Sequence, residues 1–356
     1  MNKEILKINN LGQSIWIDSI SRGMIQSGKL SSMISEGITG ITSNPAIFQK
    51  ALSSENSYNE DIKFLNNSDS SPKSIFQDLC IKDISDACKL LLPIYEKTNG
   101  DDGFVSIEID PKFANDTEKS INEGIYLNKS INQPNVMIKV PGTDEGVPVI
   151  EHLIGLGINV NVTLLFSRSK YRNAAKAYIR GLNKLPENKI NKVNSVASFF
   201  ISRIDTSVDK IVDKKHQGKI AISNAILAYQ DHKKIFSEDS FTKFNKMGAN
   251  KQRLLWASTS VKNPNYEKLL YVNKLTGQET VNTVPENVYE EIISNNISYK
   301  NFLDSDTEYH REIIKNAISD SELENITDSL LIEGIKLFED AFDNLLKEIN
   351  NKLSTS

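Results

Sequence analysis

The chain has 356 residues, 39% of them hydrophobic and 25% charged, enough for one large α/β domain or two ordinary ones. Its 42 basic and 46 acidic residues leave a formal charge of −4, which gives no basis for a general nucleic-acid binder, and no run of 18 apolar residues marks a membrane span. The polar stretch MNKEILKINNLGQ lacks the apolar core of a secretory signal, so a cytoplasmic location is expected.

Short apolar runs then alternate with longer segments of helical period. In chain order the runs are SIWIDSI (14–20), GITGITSN (37–44), FVSIEID (104–110), NVMIKVP (135–141), INVNVTLLF (158–166), KVNSVASFF (192–200), RLLWAST (253–259) and ETVNTVP (279–285). Repeated βα units imply a parallel sheet, and eight of them predict an α/β fold: a closed (β/α)8 barrel of the TIM type with additional helices. An open doubly wound sheet is the alternative, but the glycine fingerprint of that class is missing. The simplest organisation is a single barrel domain over 1–356. Helical insertions fall at about 45–103, around the polar loop NNSDSSPK, and at about 204–252, which carries KIAISNAILAYQDHKKIF. Apolar residues three and four apart predict a C-terminal amphipathic helix over about 329–353. The charges of DKKHQGK and DHKK read as a solvated helix face.

Cys80 and Cys88 lie eight apart in a predicted helix, roughly 12 Å from each other and beyond disulfide reach. That fits a reducing compartment. The histidines His152, His216, His232 and His310 show no metal-ligand spacing and read as surface or structural residues. Neither GxGxxG nor GxxxxGK[ST] occurs, so no nucleotide cofactor and no metal is expected.

Side chains alternate along a strand, and active sites of parallel barrels sit at the strands' C-terminal ends. Polar residues on one parity there are the informative ones. The first run places Trp16 and Asp18 on one face, and the second ends in Thr42 and Asn44. The third offers Ser106, Glu108 and Asp110, and the fourth Met137 and Lys139. The fifth gives Asn159, Asn161 and Thr163, and the sixth Asn194, Val196, Ser198 and Phe200. Each has a plain structural use available: Asp18 as a cap, Asn44-Pro45 as a turn, Glu108 as the ion-pair partner of Lys139, and Asn161 and Thr163 bonded to each other. Lys139 itself can snorkel from a strand end. Taken together, one lysine, two carboxylates and several hydroxyl or amide groups at one end describe a catalytic pocket.

Without a metal or nucleotide motif, the reactive group of such a pocket is the lysine. A neutral amine attacks a ketone or aldehyde to give a carbinolamine and then a Schiff base, whose positive nitrogen draws electrons from an adjacent carbon–carbon bond. Asp18 and Glu108 suit the proton transfers this needs, and Asn44, Asn161, Thr163 and Ser198 suit the holding of a polyol. Arg203 and Lys262, after late strands, are candidate phosphate groups, with surface solvation the alternative for Lys262.

The segments WIDSISR, GITGITSNPAIFQKAL, VSIEID, NVMIKVPGTDEG, INVNVTLLFS, VASFFISRID and RLLWASTSVKNP occur in the order found in the transaldolases of the pentose phosphate pathway. Over residues 14 to about 286 the chain resembles that family, in its longer bacterial branch. The resemblance implies an (α/β)8 barrel that uses no cofactor. It implies transfer of a dihydroxyacetone unit from sedoheptulose 7-phosphate to glyceraldehyde 3-phosphate, giving erythrose 4-phosphate and fructose 6-phosphate. It makes Lys139 the Schiff-base lysine and Asp18 the acid/base residue at the C4 hydroxyl. Glu108 and Thr163 become the pair that positions a water. Asn44, Asn161 and Ser198 become substrate-holding groups, Phe200 a pocket residue, and Arg203 a phosphate ligand. Where many members carry a second arginine, this chain has Lys262.

Two other readings stay open from sequence. Relatives that cleave fructose 6-phosphate as free aldolases resemble the chain in fold and lysine. They are much shorter, with glutamine at the position of Glu108 and tyrosine at that of Phe200. A non-catalytic sugar-phosphate-binding barrel has no need of Lys139 beside Asp18 and Glu108. The expected partners are sugar phosphates, without nucleic acid or membrane, and monomer and homodimer are both left open.

Overall fold

The computed structural model describes residues 1–66 and 70–354. Residues 67–69 of the polar stretch NNSDSSPK lie outside the described residues. Each of the eight apolar runs carries a strand: β1 Gln13–Ile17, β2 Gly40–Ile41, β3 Phe104–Glu108, β4 Val136–Pro141, β5 Val160–Leu165, β6 Ser195–Phe200, β7 Arg253–Ala257 and β8 Thr280–Val284. All neighbouring pairs are parallel, and β8 returns to β1 to close the barrel. The expected (β/α)8 architecture is therefore present. Both faces of the strands are covered, which is why runs such as VMIKVP and SVASFF are buried at every position.

The second strand is much shorter than its run. Gly40 lies under the indole of Trp16, where a Cβ would come within 2.4 Å of the ring. The run then turns into helix Pro45–Ser54, with Asn44 as N-cap (Oδ1 accepting from Ile47 N at 3.1 Å) and Pro45 at the first turn. The two tryptophans stand in the barrel wall. Trp16 Nε1 donates to Asp102 Oδ1 at 2.8 Å, and Trp256 meets Phe199 edge-on at 6.3 Å.

Register sets the site. Glu108 is abreast of Lys139, Lys139 of Asn161, and Pro141 of Thr163. The β5–β6 register shifts between Val162 and Leu165, and within that bulge Leu164 takes φ +58°, a left-handed conformation costly for a leucine.

Between β2 and β3 the main helices are Pro45–Ser54, Asn59–Leu65 and Pro72–Lys97. The last holds Cys80 and Cys88, both free and buried. Between β6 and β7 lie Ser202–Val208, Ile220–Ile235 and Asp239–Asn245. The charged stretch DKKHQGK is not a helix face there, because it forms a loop with a single 3-10 turn, Lys214–His216. In DHKK, Asp231 binds Arg168 and Arg172, and His232 is buried between Tyr229 and Phe236. Burial pushes its pKa down to about 3, so the ring is neutral.

The C-terminal helix runs from Asp320 to Ser354, starting nine residues before the expected 329, and Leu323 and Ile326 carry its apolar period back toward the start. Its first turn carries Asp320 and Glu322, which suit a helix N-terminus. The helix packs on Pro45–Ser54 and on the end of β5. Gly334 permits that approach: a Cβ would lie 2.9 Å from Leu164 Cδ2. Among the described residues no helix is long and apolar enough to cross a membrane.

Candidate active site

A cavity of about 210 Å³ opens at the C-terminal ends of the strands. Asp18 and Asn44 line it from just beyond β1 and β2, and Lys139 and Thr163 from β4 and β5. Ser198, Phe200 and Arg203 line it from β6 and the helix that follows, and Lys262 from the loop after β7. Eight of the ten residues singled out in the sequence thus share one wall-to-wall space. Glu108 and Asn161 stand just outside it, one strand away on either side of Lys139.

Lys139 is 4% exposed at the end of β4. Its Nζ donates to Ser43 O at 2.8 Å and stands 3.2 Å from Glu108 Oε1 as an ion pair. Apart from that pairing, neither oxygen of Glu108 accepts a hydrogen bond from the described residues. Burial pushes its carboxyl up to about 7, against the opposing pull of Lys139, so both protonation states are populated near neutrality. Glu108 faces a second cavity of about 30 Å³, shared with Phe76, Cys80 and Glu123.

Asp18 is half-buried and accepts from Thr42 Oγ1 at 2.6 Å. Burial raises its pKa above the ordinary carboxylate range, partly offset by the charge of Lys139 and by Thr42. Thr42 in turn faces Thr283 Oγ1 at 2.6 Å. The hydroxyl of Thr163, fully buried in the β5 bulge, makes no hydrogen bond among the described residues.

Asn161 does not bond Thr163. Its Nδ2 donates to Ser106 Oγ at 3.0 Å, and its Oδ1 accepts from Ser198 Oγ at 2.7 Å. The amide therefore fixes two neighbouring hydroxyls beneath the pocket floor. Asn44 spends its Oδ1 on the helix cap, which leaves its NH2 group for a ligand. Asp110, expected on the parity of Glu108, turns away. The strand ends at Glu108, and Asp110 caps the 3-10 turn Pro111–Phe113 and pairs with Lys73. Pro111, the first residue of that turn and without an N–H for the ladder, is the signal that the strand had stopped.

The far wall is basic. Arg203 is half-buried above the Phe200 ring, its guanidinium carbon 5.7 Å from the centroid, and burial lowers its pKa with Glu333 opposing. Lys262 is exposed at the rim. Three further lining residues escape the parity argument. Ser258 and Ser260 follow β7, with Ser258 at φ +55°, and Phe338 comes from the C-terminal helix, its ring centroid 6.0 Å from Lys139 Nζ. Positive φ at a non-glycine strand end marks sites of this kind but is invisible in sequence.

A buried amine between two carboxylates, with a basic rim opposite, is equipped for carbonyl chemistry on an anionic, hydroxyl-rich substrate. The same order of segments is recognised by the family model described as Transaldolase/Fructose-6-phosphate aldolase, which matches residues 15–349. The chain belongs to this family. Full-length similarity agrees. "Transaldolase" of Trichodesmium erythraeum is 42% identical, covering 99% of this chain and 98% of that protein. "Transaldolase 2" of a Nostoc species is also 42% identical, with 98% and 97% covered. "Transaldolase" of Neisseria gonorrhoeae is 40% identical, with 95% and 97% covered. A transaldolase-family enzyme of this length accounts for a pocket that a passive binding barrel would not need.

Proposed function

We propose that the chain is a transaldolase that carries a dihydroxyacetone unit from sedoheptulose 7-phosphate to glyceraldehyde 3-phosphate as a Schiff base on Lys139. The observation that supports this most is the placement of one buried amine between Glu108 and Asp18 at the barrel mouth. Lys139 Nζ adds to the C2 carbonyl, and loss of water gives the iminium. Asp18 takes the proton from the C4 hydroxyl as the C3–C4 bond breaks. The electron pair of that bond moves toward the iminium nitrogen, leaving an enamine and freeing erythrose 4-phosphate. The enamine then adds to the acceptor aldehyde, Asp18 returns the proton, and water releases fructose 6-phosphate from the lysine.

Glu108 and Thr163 serve the water steps. Glu108 titrates near neutrality, Thr163 has a free hydroxyl, and the cavity beside Glu108 has room for a water. Asn44, Asn161 and Ser198 hold the three-carbon unit, directly or through one another. Phe200 forms the apolar side of the wall, and Arg203 and Lys262 take the phosphate, the first as a fork and the second as a point charge.

Borohydride reduction of the enzyme with fructose 6-phosphate is expected to leave a three-carbon adduct on Lys139, located by peptide mass analysis. No adduct, or an adduct that persists in Lys139→Ala, overturns the mechanism. Breakdown of fructose 6-phosphate should depend on added erythrose 4-phosphate, whereas a free aldolase would show no such dependence.

A further inference from the structure

The mouth of the barrel is not walled by barrel residues alone. Phe338 belongs to the helix Asp320–Ser354, about 200 residues beyond Lys139 in the chain, yet it is 7% exposed and lines the same cavity as Asp18, Phe200 and Arg203. Its ring centroid is 6.0 Å from Lys139 Nζ. Two features seat it there. One turn earlier, Gly334 lets the helix come down on Leu164 and Arg203: a Cβ would lie 2.9 Å from Leu164 Cδ2 and 3.6 Å from an Arg203 Nη atom. One turn later, Phe342 packs edge-on against Phe76 at 5.5 Å, and Asp343 pairs with Lys112 at 2.6 Å. Positions 334, 338 and 342 share one helix face, so the helix is pinned on both sides of the ring.

An aromatic ring at this place acts on the nitrogen that carries the reaction. Once the carbon–carbon bond has broken, the three-carbon unit remains on Lys139 as an enamine with two fates. It adds to an acceptor aldehyde, which is transfer. Otherwise it takes a proton on carbon, water adds to the resulting iminium, the carbon–nitrogen bond breaks, and dihydroxyacetone leaves with the amine restored. The second route gives a net cleavage of ketose phosphate into aldose phosphate and dihydroxyacetone. Hydrolysis of an iminium ends both routes and is served by a water beside Glu108; only the protonation of the enamine carbon by solvent belongs to cleavage alone. We propose that Phe338 biases the choice between the two, alongside Glu108 and Phe200: its ring covers Lys139 and keeps solvent from the enamine carbon of the bound three-carbon unit until an acceptor aldehyde arrives. The ring face toward a cation also favours the positively charged imine over the free amine. Phe338 is thus a specificity-determining residue for transfer over cleavage. This inference rests on the Schiff-base reading of Lys139 given above.

The test is a ratio measured on one sample of full-length enzyme. Release of dihydroxyacetone from fructose 6-phosphate without acceptor is divided by the transfer rate with erythrose 4-phosphate present. Phe338→Ala is expected to raise this ratio about tenfold by admitting water, while Phe338→Leu, apolar and of similar reach, stays near wild type. KM for fructose 6-phosphate should move little, since Arg203 and Lys262 are untouched. A merely structural role for Phe338 would lower both rates together and leave the ratio unchanged, and that result overturns the proposal. If the alanine variant does not fold, Phe338→Val carries the same test, with a raised ratio supporting the idea and an unchanged one rejecting it. The borohydride adduct of the wild-type enzyme is recorded alongside. Its absence sinks the Schiff-base reading itself, whereas an adduct with an unchanged ratio sinks only the role of Phe338.

Discussion

The barrel buries polar side chains at both ends, and the two ends treat them differently. At the N-terminal end Gln13 Nε2 donates to Leu275 O and Thr280 Oγ1, and Asn135 Nδ2 to Cys88 O and Gly103 O. Asn159 ties two backbone carbonyls together, and Asp102 accepts from Ser14, Trp16 and the Gly103 amide. Every one of these residues makes at least one good hydrogen bond, which is what burial of a polar group demands. At the C-terminal end Thr163 makes none, and Glu108 has only the pairing with Lys139. The first pattern closes the barrel, and the second keeps groups available for a substrate. Polarity alone does not separate stability from chemistry: Gln13 Oε1 and Asn135 Oδ1 are unpartnered too, yet each of those residues is anchored through its amide nitrogen, whereas the Thr163 hydroxyl is anchored by nothing among the described residues.

The largest expected effect tests the mouth. Glu108→Gln should lower kcat by about 10²–10³-fold, because a proton shuttle is removed. Thermal stability should not fall, since the lost carboxylate was costly to keep charged in that place. The inflection near pH 7 that Glu108 contributes to the rate profile should go with it. A large drop in melting temperature would show that Glu108 is structural and would erase the contrast between the ends.

The mirror-image change tests the base. Asp102→Ala orphans the Trp16 indole and takes the acceptor from the Ser14 hydroxyl, and should cost ~3 kcal/mol, read by denaturant unfolding. Transfer activity of the folded fraction should stay close to that of wild type, because Asp102 sits at the opposite end of the barrel from Lys139.

The smallest effect sharpens the comparison with a carboxylate that lies between the two classes. Asp205, two residues after Arg203, is buried, accepts from Ala221 N at 2.8 Å and from Tyr271 Oη at 2.9 Å, and is pushed by burial up to about 7. The folded state therefore binds this proton more tightly than the unfolded chain does. Its contribution to stability is complete at low pH and is lost as the pH rises from the ordinary carboxylate range through about 7. Asp205→Asn removes that dependence. The variant should gain about 1–2 kcal/mol on the wild type between pH 5 and 8, visible as a flatter melting-temperature profile. A parallel profile would show that Asp205 stays ionised throughout.

Much of this was readable in the residues because strand parity is a strict rule. Asp18, Lys139, Thr163, Ser198 and Phe200 were placed by counting in twos, and the barrel holds them at the cavity. Parity failed at Asp110 because it presumes that the strand continues, and the strand had ended at Glu108. It could not distinguish a residue lining the pocket from one bracing it, so Asn161 was grouped with the ligand-facing set although both ends of its amide are engaged. Phe338 was out of reach for another reason. Its position fits the apolar period of an amphipathic helix, and a sequence pattern does not say which apolar residue of such a face meets the core and which meets a lysine. Leu164 and Ser258 were equally hidden, because positive φ at a non-glycine residue is imposed by tertiary contacts.

Trp16 and Trp256 are the chain's only two tryptophans, and both are staves of the barrel wall. One indole is hydrogen-bonded to Asp102 beneath it, and the other is wedged against Phe199. Intrinsic emission from this protein is consequently an optical record of barrel closure. Fraying of the outer helices, or lifting of the helix that bears Phe338, leaves both chromophores in place and passes without colour.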